Sequence, residues 1–305
     1  MERMNELISL NSFQGLNMIK KAEYIKIENQ SDKIWGFIRF IRPEIIILGI
    51  VCVFIGALVS GSDLFSFELL FGMSAVFCIG AGCHPFNDYF DYEIDKIAHP
   101  KRPLPSGVFK PISGLYMGLI FFAMSFVFSS LINIYCFSIN LIGIALIFFY
   151  EASLKNKGLG GNIVVAFTVA LSFIYGGAIA GDFFKPIFFA LVTFFIFLGR
   201  EIIMDVRDFE GDKKTRVTLP SIIGKKFAVY FASVLIVISI ILLFVPYFYG
   251  LFNIWYELLA IPLALFTIYS TSLSLFDLNN VGKTAEMLRI TMILGLILFI
   301  IAIFL

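Results

Sequence analysis

Nine apolar runs follow one another from residue 37 to the end of the chain, each about the ~20 residues a helix needs to cross the hydrocarbon of a bilayer. They fall near 37–60, 66–87, 112–132, 134–151, 161–181, 185–205, 227–249, 254–276 and 285–305. Turn chemistry separates them: Ser60-Gly61-Ser62-Asp63, Asn156-Lys157-Gly158, Gly181-Asp182 and Asn279-Asn280-Val281-Gly282. Between the third and fourth runs only Asn133 breaks the apolar character. Within lipid each backbone N–H and C=O must be satisfied inside its own segment, which excludes open strands. The expected fold is therefore all-α, a polytopic membrane bundle of nine transmembrane helices with a cytoplasmic-side active-site cap. A chain that is 59% hydrophobic and only 15% charged has too much apolar surface for a soluble domain of this size.

Residues 1–33 differ from the rest. They are polar and contain no apolar core long enough for a signal peptide. Lys20, Lys21, Lys26 and Lys33 alternate with Ile19, Tyr24 and Ile27, which suits either a helix lying on the membrane surface or a disordered leader. Residues 34–305 are expected to form the transmembrane domain. All basic residues except Lys185 lie before or at the start of the first run or toward the side reached after the second, fourth, sixth and eighth runs. That bias places this side, with the N-terminus, in the cytoplasm of a cell-membrane protein. The acidic residues share it: only Asp63, Glu68, Asp182 and Glu257 lie opposite. A topology signal alone does not recruit acids, so the cytoplasmic face carries chemistry.

That chemistry concentrates in two acidic segments at the ends of the second and sixth runs. Asn87, Asp91 and Asp95 stand at i, i+4 and i+8, with Asp88 beside them; Asp205, Asp208 and Asp212 stand at i, i+3 and i+7. On continuous helices each set would form one stripe. Four runs separate the segments, an even number, so both emerge on one side. Acids at helix ends in a bundle are costly unless they are paired or bind cations. Mg²⁺ takes one or two carboxylates, several waters and phosphate oxygens, so two facing stripes suggest a two-metal grip on a diphosphate. Basic residues surround both: Lys96, Lys101 and Arg102 after the first, and Arg207, Lys213, Lys214 and Arg216 around the second. Lys155 lies in a connection on the same side. Arg200 sits two turns before Asp208, and Arg39 and Arg42 precede Pro43 at the start of the first run. Such bases can donate to a departing diphosphate.

Other classes fit less well. The net charge of +1 gives no reason to expect a nucleic-acid partner. Cys52, Cys78, Cys83 and Cys136 lack ligand spacing and read as small apolar residues. His84 and His99 have no second histidine at ligand spacing, and no phosphate loop or Ser-His-Asp arrangement occurs. Charged loops serving only topology would explain one acidic segment but not two at matching positions. A transporter would place its acids near the bilayer midplane, in broken helices, whereas these lie at the cytoplasmic ends.

The segment Asn87-Asp88-Tyr89-Phe90-Asp91-Tyr92-Glu93-Ile94-Asp95, continuing to Arg102-Pro103-Leu104-Pro105-Ser106-Gly107, resembles a signature of the UbiA superfamily of intramembrane prenyltransferases. Arg200-Glu201 followed by Asp205-Val206-Arg207-Asp208-Phe209-Glu210-Gly211-Asp212 is similar to its second acidic motif, and Tyr150 to Lys155 to its third feature. The resemblance implies Mg²⁺, two ions, held by Asn87, Asp91, Asp205 and Asp208 or Asp212. It implies a prenyl diphosphate donor neutralised by Lys155, Arg207 and Lys213 or Lys214, with Tyr150, Lys101, Arg102 and Arg200 also lining the substrate site. Asp95, Asp212 or the diphosphate itself would serve as base. Within the superfamily the wording resembles most the archaeal lipid branch. That branch transfers a geranylgeranyl group to the free hydroxyl of geranylgeranylglyceryl phosphate; the alternative acceptor is aromatic, such as 4-hydroxybenzoate. A phosphorylated lipid acceptor needs a second basic patch, for which Arg39 and Arg42 are the candidates.

Overall fold

The computed structural model of the chain describes residues 30–155, 157–212 and 216–305. Most of the polar leader, with Lys213 and Lys214, lies outside these residues. The first span is bent: α1 (Gln30–Ile41) meets α2 (Pro43–Val59) at 44°. The bend follows from Pro43, whose ring disfavours right-handed helical backbone at the residue before it. Arg42 accordingly adopts φ 53 and ψ 64, and it is the one described non-glycine residue with positive φ.

Beyond the bend come α3 (Phe67–Phe90), the short α4 (Tyr92–Ala98), α5 (Pro111–Ser130) and α6 (Ile134–Phe149). The last runs directly into a π-helical turn at Tyr150–Leu154. After it stand α7 (Leu159–Ala180), α8 (Phe184–Arg207), the short α9 (Phe209–Asp212) and α10 (Leu219–Ile223), α11 (Lys225–Phe248), α12 (Ile254–Phe276) and α13 (Val281–Phe304). Eight of these helical segments are long and apolar enough to cross a membrane, and the bent α1–α2 pair supplies a ninth span. The all-α bundle expected from the sequence is the observed one. Asn133, the lone polar interruption, is an N-cap: its Oδ1 accepts from Cys136 N at 2.8 Å, which starts α6 afresh.

Small residues let the spans approach. A Cβ on Gly56 of α2 would stand 2.2 Å from Phe173 O of α7, and one on Gly176 would stand 2.2 Å from Val53 O. Lipid tails are as apolar as leucine, so close van der Waals contact and interhelical hydrogen bonds hold such bundles. Asn140 of α6 supplies the latter, donating to Ser129 Oγ at 2.8 Å and Ser125 Oγ at 3.2 Å on α5. All four cysteines are free, three of them buried. This packing brings the C-terminal ends of α3, α6 and α8 and the start of α7 to one face of the bundle.

Candidate active site

The helix carrying the first acidic segment breaks at Asp91, where α3 ends and α4 begins. The break divides the expected stripe into two groups. Asn87 and Asp91 turn toward the π-turn that ends α6. Asn87 donates through Nδ2 to Glu151 Oε1, and Lys155 Nζ lies 2.6 Å from Asp91 Oδ1 and 2.8 Å from Glu151 Oε2. Asp95 does not continue that stripe; it is buried and pairs with Arg102 Nη1 at 2.6 Å. Asp88 joins it, contacting Arg102 at 3.5 Å and accepting a short hydrogen bond from Arg42. Its Oδ2 is buried without a partner. Arg42, Asp88, Arg102 and Asp95 thus form a chain of alternating charge that fastens the α1–α2 bend and the loop after α4 to the end of α3. Asp95, placed on the acidic stripe and named as a possible base from the sequence, is enclosed within this chain.

The second acidic segment is divided in the same way. Asp205, still within α8, is buried and accepts from Asn162 Nδ2 of α7 at 2.7 Å; Arg216 Nη2 stands 3.5 Å from its other oxygen. Asp208 lies at the bend after α8 and is held by both arms of Arg207, each at 2.7 Å. Asp212 ends α9. Arg200 faces α13, where its Nε donates to Ala285 O at 3.3 Å, and it also pairs with Glu201.

Tyr150 opens the π-helical turn that carries Glu151 and ends at Lys155, and Lys155 Nζ lies 6.0 Å from the centre of its ring. The backbone adds a direct tie: Gly158 N donates to Val217 O at 2.9 Å, and Lys157 and Val217 form an isolated parallel bridge. Gly158 makes this possible with φ +57, which favours glycine. Asn87, Asp91 and Lys155 therefore gather at the turn begun by Tyr150, and the Gly158–Val217 tie sets beside it the segment whose Arg216 pairs with Asp205. Lys101 is exposed outside this group, and Arg39 is exposed on α1, its Nε bonded to Trp35 O of its own helix. Arg42, the other acceptor-site candidate, is paired with Asp88. At the edge, Lys96 is exposed and paired with Glu93, a hydrogen bond that raises its pKa above the ordinary lysine value.

Two residues of this constellation, Glu151 and Asn162, are not evident from the sequence. Glu151 closes an apolar run, and Asn162 sits in a Gly-Gly-Asn stretch that reads as a helix start. The only available signal was their helical position facing the acidic segments. Among the described residues no group of three or more His, Cys, Asp and Glu side chains is disposed to hold a metal ion by itself. The donors near Tyr150 are nonetheless all oxygen, from carboxylates and side-chain amides, which is the set that suits Mg²⁺ with water and phosphate as the remaining ligands. A cationic ammonium already stands between Asp91 and Glu151. The residues fit a hard cation.

Comparison with known proteins identifies relatives over most of the chain. The digeranylgeranylglyceryl phosphate synthase of Methanosphaera stadtmanae is 32% identical over 266 residues, 86% of this chain and 97% of that protein. A solved structure described as digeranylgeranylglyceryl phosphate synthase in membranes superposes with TM-score 0.77 at 31% identity, covering 89% of this chain and 99% of its own. A UbiA homolog from Archaeoglobus fulgidus bound to GPP and Mg²⁺ shares the fold, with TM-score 0.65 at 20% identity and coverage of 87% and 99%. The UbiA prenyltransferase family matches residues 49–294, a stretch that holds both acidic segments and the turn between them. With fold, motifs and extent in agreement, this chain belongs to the UbiA prenyltransferase family.

Proposed function

We propose that the chain is a digeranylgeranylglyceryl phosphate synthase, transferring a geranylgeranyl group from its diphosphate to the free hydroxyl of geranylgeranylglyceryl phosphate. The observation that carries the reading is that the turn at Tyr150–Lys155 holds Asn87 and Asp91 of the first acidic segment and that the chain just beyond it is tied at Gly158 to Val217, next to the Arg216 that pairs with Asp205 of the second. Full-length similarity to proteins of that activity supports it. Asn87 and Asp91 would hold one Mg²⁺, and Asp205 with Asp208 or Asp212 a second. Bound there, Mg²⁺ supplies charge neutralisation of the diphosphate oxygens, which favours loss of the leaving group.

The chain's own residues do the rest. Lys155 donates to the diphosphate, as do Arg207 and Arg216, with Lys213 and Lys214 as further donors from the same segment of the sequence. Arg207 and Arg216 are already held beside Asp208 and Asp205, so they stabilise the developing leaving-group charge with little reorganisation. The bundle keeps bulk water from the allylic carbon, which limits hydrolysis in favour of attack by the acceptor hydroxyl. The charge asymmetry supports a cytoplasmic orientation for this face, where both headgroups would reach it while their chains stay in the bilayer.

The test is direct. The purified chain is given geranylgeranyl diphosphate and Mg²⁺, with either geranylgeranylglyceryl phosphate or 4-hydroxybenzoate, and products are identified by mass spectrometry. Transfer to the lipid phosphate is expected. Transfer only to the aromatic acid rejects the acceptor assignment and leaves the prenyltransferase reading intact.

A further inference from the structure

Lys155 occupies an awkward position for the role assigned to it. Its ammonium stands 2.6 Å from Asp91, the same carboxylate that a metal ion would need. In this arrangement the lysine and a metal compete for Asp91. Displacing an ammonium from a partly buried ion pair is costly unless another anion receives it. Glu151 is that anion. Its side chain is 3% exposed, and its two oxygens are used separately: Oε1 accepts from Asn87 and Oε2 from Lys155 at 2.8 Å. The π-turn puts this carboxylate beside the end of α3, and widened turns of this kind recur at functional sites.

We propose that Glu151 is a positioning residue that keeps Lys155 in the site when the ammonium releases Asp91, and so allows one lysine to serve first as counter-ion and then as diphosphate ligand. The proposal rests on the prenyl-diphosphate reading above. Glu151 acts through Lys155: without it, the ammonium has Asp91 as its only carboxylate and holds it closed. With both residues removed there is nothing to compete. The expected pattern is therefore non-additive, which a double-mutant cycle detects.

The test uses the full chain in detergent and Mn²⁺ alone, with bound metal measured by loss of the free Mn²⁺ electron paramagnetic resonance signal. Glu151→Gln should weaken Mn²⁺ binding about tenfold, the size of an ordinary coupling between contacting residues. Lys155→Gln should not weaken it. The double variant E151Q/K155Q should return to within about threefold of the wild type. Inorganic diphosphate binding, measured by calorimetry, should fall in both variants carrying Lys155→Gln. If the double variant binds Mn²⁺ as weakly as E151Q, Glu151 does not act through Lys155 and the proposal is overturned. Unchanged Mn²⁺ binding in E151Q overturns it equally, while leaving the family reaction standing. Absence of Mn²⁺ binding by the wild-type chain removes both the proposal and the metal assignment beneath it. Should E151Q not survive purification, Glu151→Asp, one methylene short of Lys155, is compared with E151D/K155Q under the same criteria.

Discussion

Replacing Arg42 tests whether the alternating-charge chain holds the bend of the first span. Asp88 is 1% exposed, and Arg42 is its closest partner; Arg102 lies further away at 3.5 Å and is shared with Asp95. Removing one member of a buried pair typically costs about 3–5 kcal/mol, because the remaining charge is stranded. Arg102 still offers partial compensation, so Arg42→Ala should cost about 3 kcal/mol, at the low end of that range. Backbone conformation supplies an independent check. At φ 53 an alanine bears the left-handed penalty of about 1 kcal/mol and a glycine does not. Arg42→Gly should therefore be more stable than Arg42→Ala by about that amount, the reverse of their order in an ordinary helix. The double variant R42A/D88N, which removes the stranded charge, should recover roughly half of the loss. At roughly 2 °C per kcal/mol for a chain of this size, the apparent midpoint should fall by about 6 °C in R42A and about 4 °C in R42G. Thermal scans in detergent at one fixed rate provide the assay. An R42A midpoint within 1 °C of wild type, or R42G falling below R42A, refutes the reasoning.

Three further outcomes follow from the site and the packing. Asp91→Asn and Asp205→Asn should each lower prenyl transfer by about a hundredfold or more, the loss of roughly 2.7 kcal/mol of leaving-group stabilisation; activity within threefold of wild type in either would remove that residue from the metal assignment. Arg39→Ala should leave acceptor affinity unchanged, since Arg39 is exposed and bonded to its own helix, and a raised acceptor KM at saturating donor would restore it to the acceptor site. Gly176→Val should prevent stable assembly of α2 against α7, because even its Cβ would meet Val53 O at 2.2 Å; recovery of monodisperse protein at wild-type yield would contradict the close approach.

The spans were legible because length and apolarity are local properties, and membrane insertion leaves few alternatives to a helix. The grouping of both acidic segments on one face was legible for the same reason, from counting spans. Which acid faces which partner was not. Phe90-Asp91-Tyr92 contains no proline or glycine, so nothing local announces that α3 stops there. The break sends Asp88 and Asp95 to the arginines while Asn87 and Asp91 go to the π-turn. That turn is equally silent: Tyr150 to Leu154 has residues compatible with ordinary helix, and the added residue per turn arises from packing. Glu151 and Asn162 enter the site through tertiary contacts to Asn87 and Asp205, from elements 64 and 43 residues away in sequence. The left-handed Arg42 was half visible, since Pro43 restricts it but does not select its conformation.

The backbone tie between Gly158 and Val217 carries a consequence for how such chains can vary. Surface connections usually change length freely among relatives, because nothing but solvent constrains them. Here two connections, one before α7 and one before α10, are fixed to each other at a single register. An added residue at 156–158 would move Gly158 out of the one position where positive φ aims its N–H at Val217 O. An added residue before Val217 would shift Arg216 away from Asp205. The lengths of these two loops are therefore coupled, and an insertion in either one is expected to break the tie.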